Sequence, residues 1–303
     1  MFVALPFKIL VDSRAATTGT SESFQVSLPE TLHLNPDIVM YVNSATCTNT
    51  FLPTGTVVGA QRNTIYFLER QRGAAMILNK ATLPERTYDA EELAAALQTA
   101  MNTSSWLSSD YTCTYNVAKQ TISISRPTSD QSFFIVNDDL LSDPAFQSLV
   151  DPRTALFEAY DLDFNNTKSA HELLGLGKGS SVNTKTAQMI TIMDQQDLAY
   201  AFETGAVDVR RVNNVYVHSQ ALSNRNVISL MAGARTTICK IPVLGSVGDV
   251  LHRAHSGHHL DFIDVGNKRL ATLDFEVRDA QNRLLNLRGG TLTLELLCAQ
   301  RPN

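Results

Sequence analysis

Leu273-Asp274-Phe275-Glu276-Val277-Arg278, followed by Asp279-Ala280-Gln281-Asn282 and then Thr291-Leu292-Thr293-Leu294-Glu295-Leu296-Leu297, decides the fold class. Leu273, Phe275 and Val277 alternate with charged residues, and Leu292, Leu294 and Leu296 alternate in the same way. A period of two belongs to a strand with one buried face. Asp279 to Asn282 supplies turn-forming side chains between the runs. The spacing predicts a hairpin closing the chain, with Arg269 to Arg278 and Thr291 to Leu297 as its arms.

Other segments repeat this pattern. Phe24 to Leu28 alternates apolar and polar until Pro29, which is expected to stop it. Asp37 to Phe51 is a longer β-rich run, with Ile38, Met40 and Val42 on one face. Thr64 to Leu68 and Met76 to Leu78 follow on either side of Gly73. Later strands are expected at Met189 to Met193, Asn213 to His218 and Thr236 to Val243.

The middle of the chain departs from this rhythm. Arg86 to Asn102 reads as a helix: Leu93, Leu97, Ala100 and Met101 make one apolar stripe. Asp89, Glu91 and Glu92 load its first turn with the charge the helix dipole favours, and Thr87 is the expected N-cap. Tyr111, Cys113 and Tyr115 then alternate against Ile122 and Ile124 across an Asn116 to Lys119 turn, a hairpin. Phe133 to Val136 reads as a short strand and His171 to Leu176 as a brief helix. The expected organisation is mainly β: a single jelly-roll β-sandwich from residues 1–72 and 186–303, with 73–185 inserted as an α+β domain. Helix 87–102 and hairpin 110–126 belong to that insertion.

The 303 residues suffice for a large core, and only 18% are charged. The net charge of −5 speaks against a general electrostatic grip on nucleic acid, which needs a basic face, although a local patch stays open. No specific nucleic-acid binding is expected. Met1 to Val11 is apolar, but too short for a signal peptide or a span, so no membrane span is expected. The Asn102-Thr103-Ser104 and Asn165-Asn166-Thr167 sequons then carry little meaning. Cys47, Cys113, Cys239 and Cys298 form no CxxC pair and read as buried reduced thiols.

Several patterns approach a chemical motif without completing it. In Gly175 to Ser181, Lys178 is followed by Gly179 rather than the Ser or Thr of a phosphate loop. In His171-Glu172-Leu173-Leu174-Gly175 the second histidine of a zinc-protease helix is replaced by Gly175. Acid pairs at Glu91-Glu92 and Asp138-Asp139 sit where charge is solvated. His252, His255, His258 and His259 fall within eight residues and form the one candidate metal cluster. The same run could instead respond to pH, or be a solvated loop. No catalytic residue and no cofactor are expected.

Three segments carry a resemblance that spans nearly the whole chain in order. The first is Val11-Asp12-Ser13-Arg14, through Thr18-Gly19-Thr20, to Phe24-Gln25-Val26-Ser27-Leu28-Pro29. The second is Leu83-Pro84-Glu85-Arg86-Thr87-Tyr88, the Tyr115 hairpin and Leu173-Leu174-Gly175, with Arg86 standing where a Gly is usual. The third is Asn214 to Ser219, Lys240-Ile241-Pro242-Val243 and the Leu273 to Leu296 region. Together they resemble the penton (minor capsid) proteins of mavirus-like virophages and polinton-like viruses. The resemblance implies a structural protein of the virion, a jelly roll forming homopentamers at capsid vertices among double jelly-roll major capsid trimers. It implies assembly inside the host cell and no catalytic residues. The alternative is a virion-surface β-sandwich that recognises a host.

Overall fold

The computed structural model describes residues 6–55, 62–71, 77–107, 110–126, 131–136, 139, 169–176, 201–210, 212–223, 236–254 and 262–301. In chain order the strands are β1 (Phe7–Asp12), β2 (Thr18–Gly19), β3 (Ser23–His33), β4 (Ile38–Thr48), β5 (Thr64–Gln71) and β6 (Ile77–Thr82). Helix α1 (Ala90–Ser104) follows, then β7 (Thr112–Asn116), β8 (Thr121–Ser125), β9 (Gln131–Ile135) and β10 (Ala201–Glu203). The last are β11 (Asn214–His218), β12 (Thr237–Pro242), β13 (Val250–Ala254), β14 (Ile263–Asp264), β15 (Arg269–Arg278) and β16 (Leu292–Gln300). The fold is mainly β, as the alternating runs predict.

The described residues form two compact units. One draws on Met1–Phe51 and Val212–Asn303, the other on Leu52–Gly55 and Gly59–Arg211. Sequence reading placed the junctions near 72 and 186. Pairing assigns β5 to the second unit, because its partners are β6 and β9. It assigns β10 there too, through its ladder with β8.

The first unit is a sandwich of two antiparallel sheets. One runs β1-β16-β4-β13, with β14 also on β4, and the other runs β12-β11-β15-β3-β2. Leaving aside the two-residue strands, the eight long strands taken in chain order lie as first-eighth-third-sixth and fifth-fourth-seventh-second. This is the strand order of a jelly roll. One apolar core unites the two inner faces: Val11, Met40, Cys47, Leu292, Leu294 and Leu296 meet Phe24, Val215, Val217, Leu273, Phe275 and Val277.

The expected closing hairpin does not form. Strand β15 pairs with β3 and β11, whereas β16 pairs with β1 and β4. The two arms therefore lie in facing sheets. Both alternate because both present one face to the same core, and residues 279–291 are long enough to cross between sheets. Pro29 does not stop β3 either. The strand continues to His33, and its ladder with β15 slips between Leu270 and Thr272, opposite the Pro29 stretch. A bulge is where a strand tolerates a missing N–H.

In the second unit, α1 covers β6 and β7, burying Leu93, Leu97, Ala100 and Met101 with Ile65, Phe67, Tyr111, Ile122 and Ile124. Its N-cap is Asp89, not Thr87: Asp89 Oδ1 accepts the Glu92 N–H at 2.7 Å, and Glu92 Oε2 accepts the Asp89 N–H at 3.1 Å. This reciprocal pair satisfies donors the first turn leaves free, which a Thr87 cap two residues earlier would not. The expected helix at His171 is a 3-10 turn, His171–Leu174, closed by Gly175 at φ 64°. The Met189 to Met193 run lies outside the described residues.

Candidate functional site

The histidine run is only partly described. His252 lies exposed on β13, opposite Thr46 of β4. His255, His258 and His259 lie outside the described residues, as do Gly177 to Ser181. Among the described residues no three His, Cys, Asp or Glu side chains converge as metal ligands would.

His171 has a structural role. Its Nε2 accepts the Tyr66 N–H at 2.8 Å, its own N–H donates to Ser169 Oγ at 3.1 Å, and its ring stands edge-on to Tyr66 at 5.7 Å. The lone pair that would hold a metal is committed to β5. Glu172 pairs with Arg62 at 3.6 Å, while Leu173 and Leu174 enter the core. The His-Glu-Leu-Leu-Gly segment thus clasps the 3-10 turn to the sheet.

The four cysteines are buried and free. Burial pushes the thiols of Cys47, Cys113 and Cys298 up to about 12, with Cys239 adding to the effect at Cys47. Such thiols are poor nucleophiles.

The most elaborate polar centre was not singled out from the sequence. Glu69 is completely buried on β5. Its Oε1 accepts the Ser105 and Tyr111 hydroxyls, each at 2.6 Å. Its Oε2 accepts Asn79 Nδ2 at 2.8 Å, the Trp106 N–H at 3.0 Å and the Leu107 N–H at 3.4 Å. A buried carboxylate is tolerable when donors replace its hydration. The available signal was a lone acid ending the apolar run Ile65-Tyr66-Phe67-Leu68. The arrangement fixes the chain leaving α1 to β5, and its lone pairs are occupied.

On the outer face of the β15 sheet, Thr18, Ser23, Gln25, Gln220, Asp274 and Glu276 line an open groove of about 530 Å³. Asp274 accepts the N–H groups of Gln220 at 2.8 Å and Ala221 at 2.7 Å. Glu276 accepts Arg278 Nε at 2.8 Å. His218 lies beside them, opposite Glu276 on β11, with Nδ1 2.9 Å from Thr236 Oγ1. Burial pushes its pKa down to about 4, helped by Arg278 and opposed by Glu276. Both carboxylates are engaged in holding loop and strand. The described polar centres hold the fold; what they leave open is surface.

No family model matches the chain, and no curated protein matches it. Among solved structures it is similar to the selenomethionine-labelled mavirus penton protein, at 9% identity and a TM-score of 0.44, over 98% of this chain and 100% of that chain.

Proposed function

We propose that this chain is a structural capsid protein, forming homopentamers at the five-fold vertices of an icosahedral virion. The strand order of the sandwich carries the reading. A jelly roll packs two sheets into a rigid wedge while leaving its loops free to vary, which suits a closed shell. In this proposal the first unit is that wedge, assembled from both ends of the chain, and the second is an insertion between β4 and β11.

The segments behind the resemblance fall on positions that build the frame. Asp12 ends β1 and accepts the Arg14 N–H at 2.9 Å, while Ser13 Oγ accepts the Leu292 N–H at 3.1 Å, tying β1 to β16. Phe24 to Leu28 lies in β3, Asn214 to His218 forms β11 and Lys240 to Pro242 ends β12. Arg86 lies over the Tyr88 ring at 4.9 Å, and its N–H donates to Thr54 Oγ1 at 3.3 Å. These segments specify shape rather than chemistry, as a building block requires. The partners in this reading are further copies of the chain and double jelly-roll major capsid trimers, and the location is the capsid vertex.

Native mass measurement of the purified chain, together with electron microscopy of whole particles, tests the proposal. Five-copy rings and density at the vertices are expected. Density for this chain away from the five-fold axes defeats it, whatever the fold.

A further inference from the structure

Strand β6 ends the order β6-β5-β9, so one of its edges has no ladder partner among the described residues. The Leu83 N–H donates to the Asn63 carbonyl at 2.8 Å, in register with the β5–β6 pairs. Hydrogen-bonded pairs recur at every second residue of an antiparallel ladder. Ala81, Asn79 and Ile77 therefore bond to β5 as Leu83 does. Leu78, Lys80 and Thr82 turn their N–H and C=O groups the other way. Unpaired edge groups of this kind are a template for another chain.

Helix α1 treats the two strand edges beside it differently. Strand β7 also ends its sheet. There Gln98 Oε1 accepts the Cys113 N–H at 3.0 Å. Asn102 accepts the Tyr111 N–H at 2.6 Å and donates to the Tyr111 carbonyl at 3.1 Å. These amides seal the β7 edge. Toward β6 the same helix shows only Ala95, Ala96, Thr99, Ala100, Thr103 and Ser104. The hydroxyls of Thr99, Thr103 and Ser104 donate back to helix carbonyls, at 3.0, 2.8 and 2.7 Å. Among the described residues, no side chain of this face bonds to the β6 backbone.

Between helix and strand lies an open groove of about 640 Å³, lined on the strand side by Lys80, Thr82, Pro84 and Arg86. Lys80 and Thr82 are residues whose backbone groups face away from β5. The short side chains of α1 leave width for a second backbone. Lys80 and Arg86 are the charged side chains of the lining, and no acid stands among them. The first-turn acids of α1, Glu91 and Glu92, lie outside it.

We propose that this groove binds an extended acidic segment of a partner protein, which adds to β6 as a further strand alongside α1. The unpaired edge calls for an extended backbone, since only a strand presents N–H and C=O groups at the matching period. The two cations call for carboxylates and repel a basic segment. Main-chain bonds to Lys80 and Thr82 supply affinity in this mode, and the flanking side chains supply specificity. The groove lies wholly in the second unit, so this docking is independent of the ring proposed above.

The test uses the full chain and fluorescein-labelled octapeptides, read by fluorescence anisotropy. A peptide alternating valine and glutamate should bind saturably. Its valine–lysine counterpart should bind about tenfold more weakly or worse, and so should the valine–glutamate peptide N-methylated along its backbone. Lys80→Glu/Arg86→Glu should weaken the acidic peptide to a similar extent. Thr82→Pro should do likewise, because it removes one outward N–H at a position where an edge strand tolerates proline. Saturating peptide should slow exchange of the Lys80 and Thr82 amide hydrogens. Each variant is compared only if it keeps the wild-type melting temperature, and the N-methylated peptide tests strand addition on the unaltered protein. No saturable binding up to millimolar peptide overturns the site. Equal binding of the valine–lysine peptide overturns the acidic occupant, and binding that survives the charge reversal places the peptide elsewhere. Full-strength binding of the N-methylated peptide, or unchanged exchange at Lys80 and Thr82, overturns strand addition.

Discussion

The Tyr111 hydroxyl donates to Glu69 Oε1 at 2.6 Å, with the phenol ring edge-on to Phe67 at 5.7 Å and to Phe133 at 5.0 Å. Tyr111 thereby joins the hairpin, β5 and β9 around one buried charge. Tyr111→Phe keeps the ring packing and removes a donor from the carboxylate. A hydrogen bond to a buried charge is worth about 1.5–3 kcal/mol, so the variant should lose stability by that amount. Trp106, the single tryptophan, donates its backbone N–H to the same carboxylate, so its fluorescence serves as a probe for unfolding of this unit. An unshifted urea midpoint by that probe would show that the network contributes nothing net.

Phe275 is fully buried in the first unit and lies 5.5 Å from Phe24, ring to ring, across the β15–β3 ladder. Phe275→Ala should cost about 3–5 kcal/mol, the range for emptying a packed aromatic site. Chemical denaturation read by far-ultraviolet circular dichroism checks this. A change below about 1 kcal/mol would mean that the inward face of β15 is misassigned.

Such faces were legible because alternation reports burial directly. Leu273, Phe275, Val277 and Leu292, Leu294, Leu296 all enter the core as read. What alternation cannot report is which sheet a strand joins. A run with one apolar face reads the same whether its partner lies beside it or across the core, so β15 and β16 looked like a hairpin. Strand β13 escaped notice because only Leu251 faces inward, and its histidine drew attention to chemistry instead. Of the candidate sites, the His-Glu-Leu-Leu-Gly near miss was legible as incomplete. The Glu69 centre was not, since its donors come from residues 79, 105, 106, 107 and 111, which no sequence window joins.

The thiols give a direct chemical check. With three of the four held near 12 and all four buried, a thiol reagent at pH 8 should label none in the folded chain and all four in denaturant. Fast labelling of any cysteine in native buffer would contradict its placement.

His218 sets a pH dependence of defined sign. Its folded pKa, about 4, lies below the ordinary value of 6.5, so the fold favours the neutral ring. The unfolded chain takes up the proton first. Stability should therefore be complete above pH 6.5, fall between pH 6.5 and 4, and stop responding to this group below 4. The loss is on the order of 1–3 kcal/mol. Glu22 and Glu203 titrate below their ordinary 4.5, so their contribution is lost only as pH falls from about 4.5 downward, and the range from pH 5 to 6.5 belongs to His218 alone among these three. Facing His218 are Glu276 and Arg278 of β15 and the hydroxyls of Thr236 and Thr237. His218→Gln should flatten the unfolding midpoint between pH 5 and 6.5, and an unchanged slope would remove His218 as its source.

Asn49 links the interior of the sandwich to the exposed loop. Its side chain satisfies two loop carbonyls and accepts the Phe51 N–H at 3.3 Å, all from a buried position. Asn49→Ala would leave those groups without this partner, at a cost of about 1–3 kcal/mol. Its more specific effect is on the loop. With the backbone bonds to Asp249 and Gly248 still available but the side-chain anchor gone, residues 244–249 should sample other conformations. Their amide hydrogens should exchange faster than in the wild type while those of β4 and β16 change little. Exchange as slow as in the wild type would show that the backbone bonds alone hold the loop.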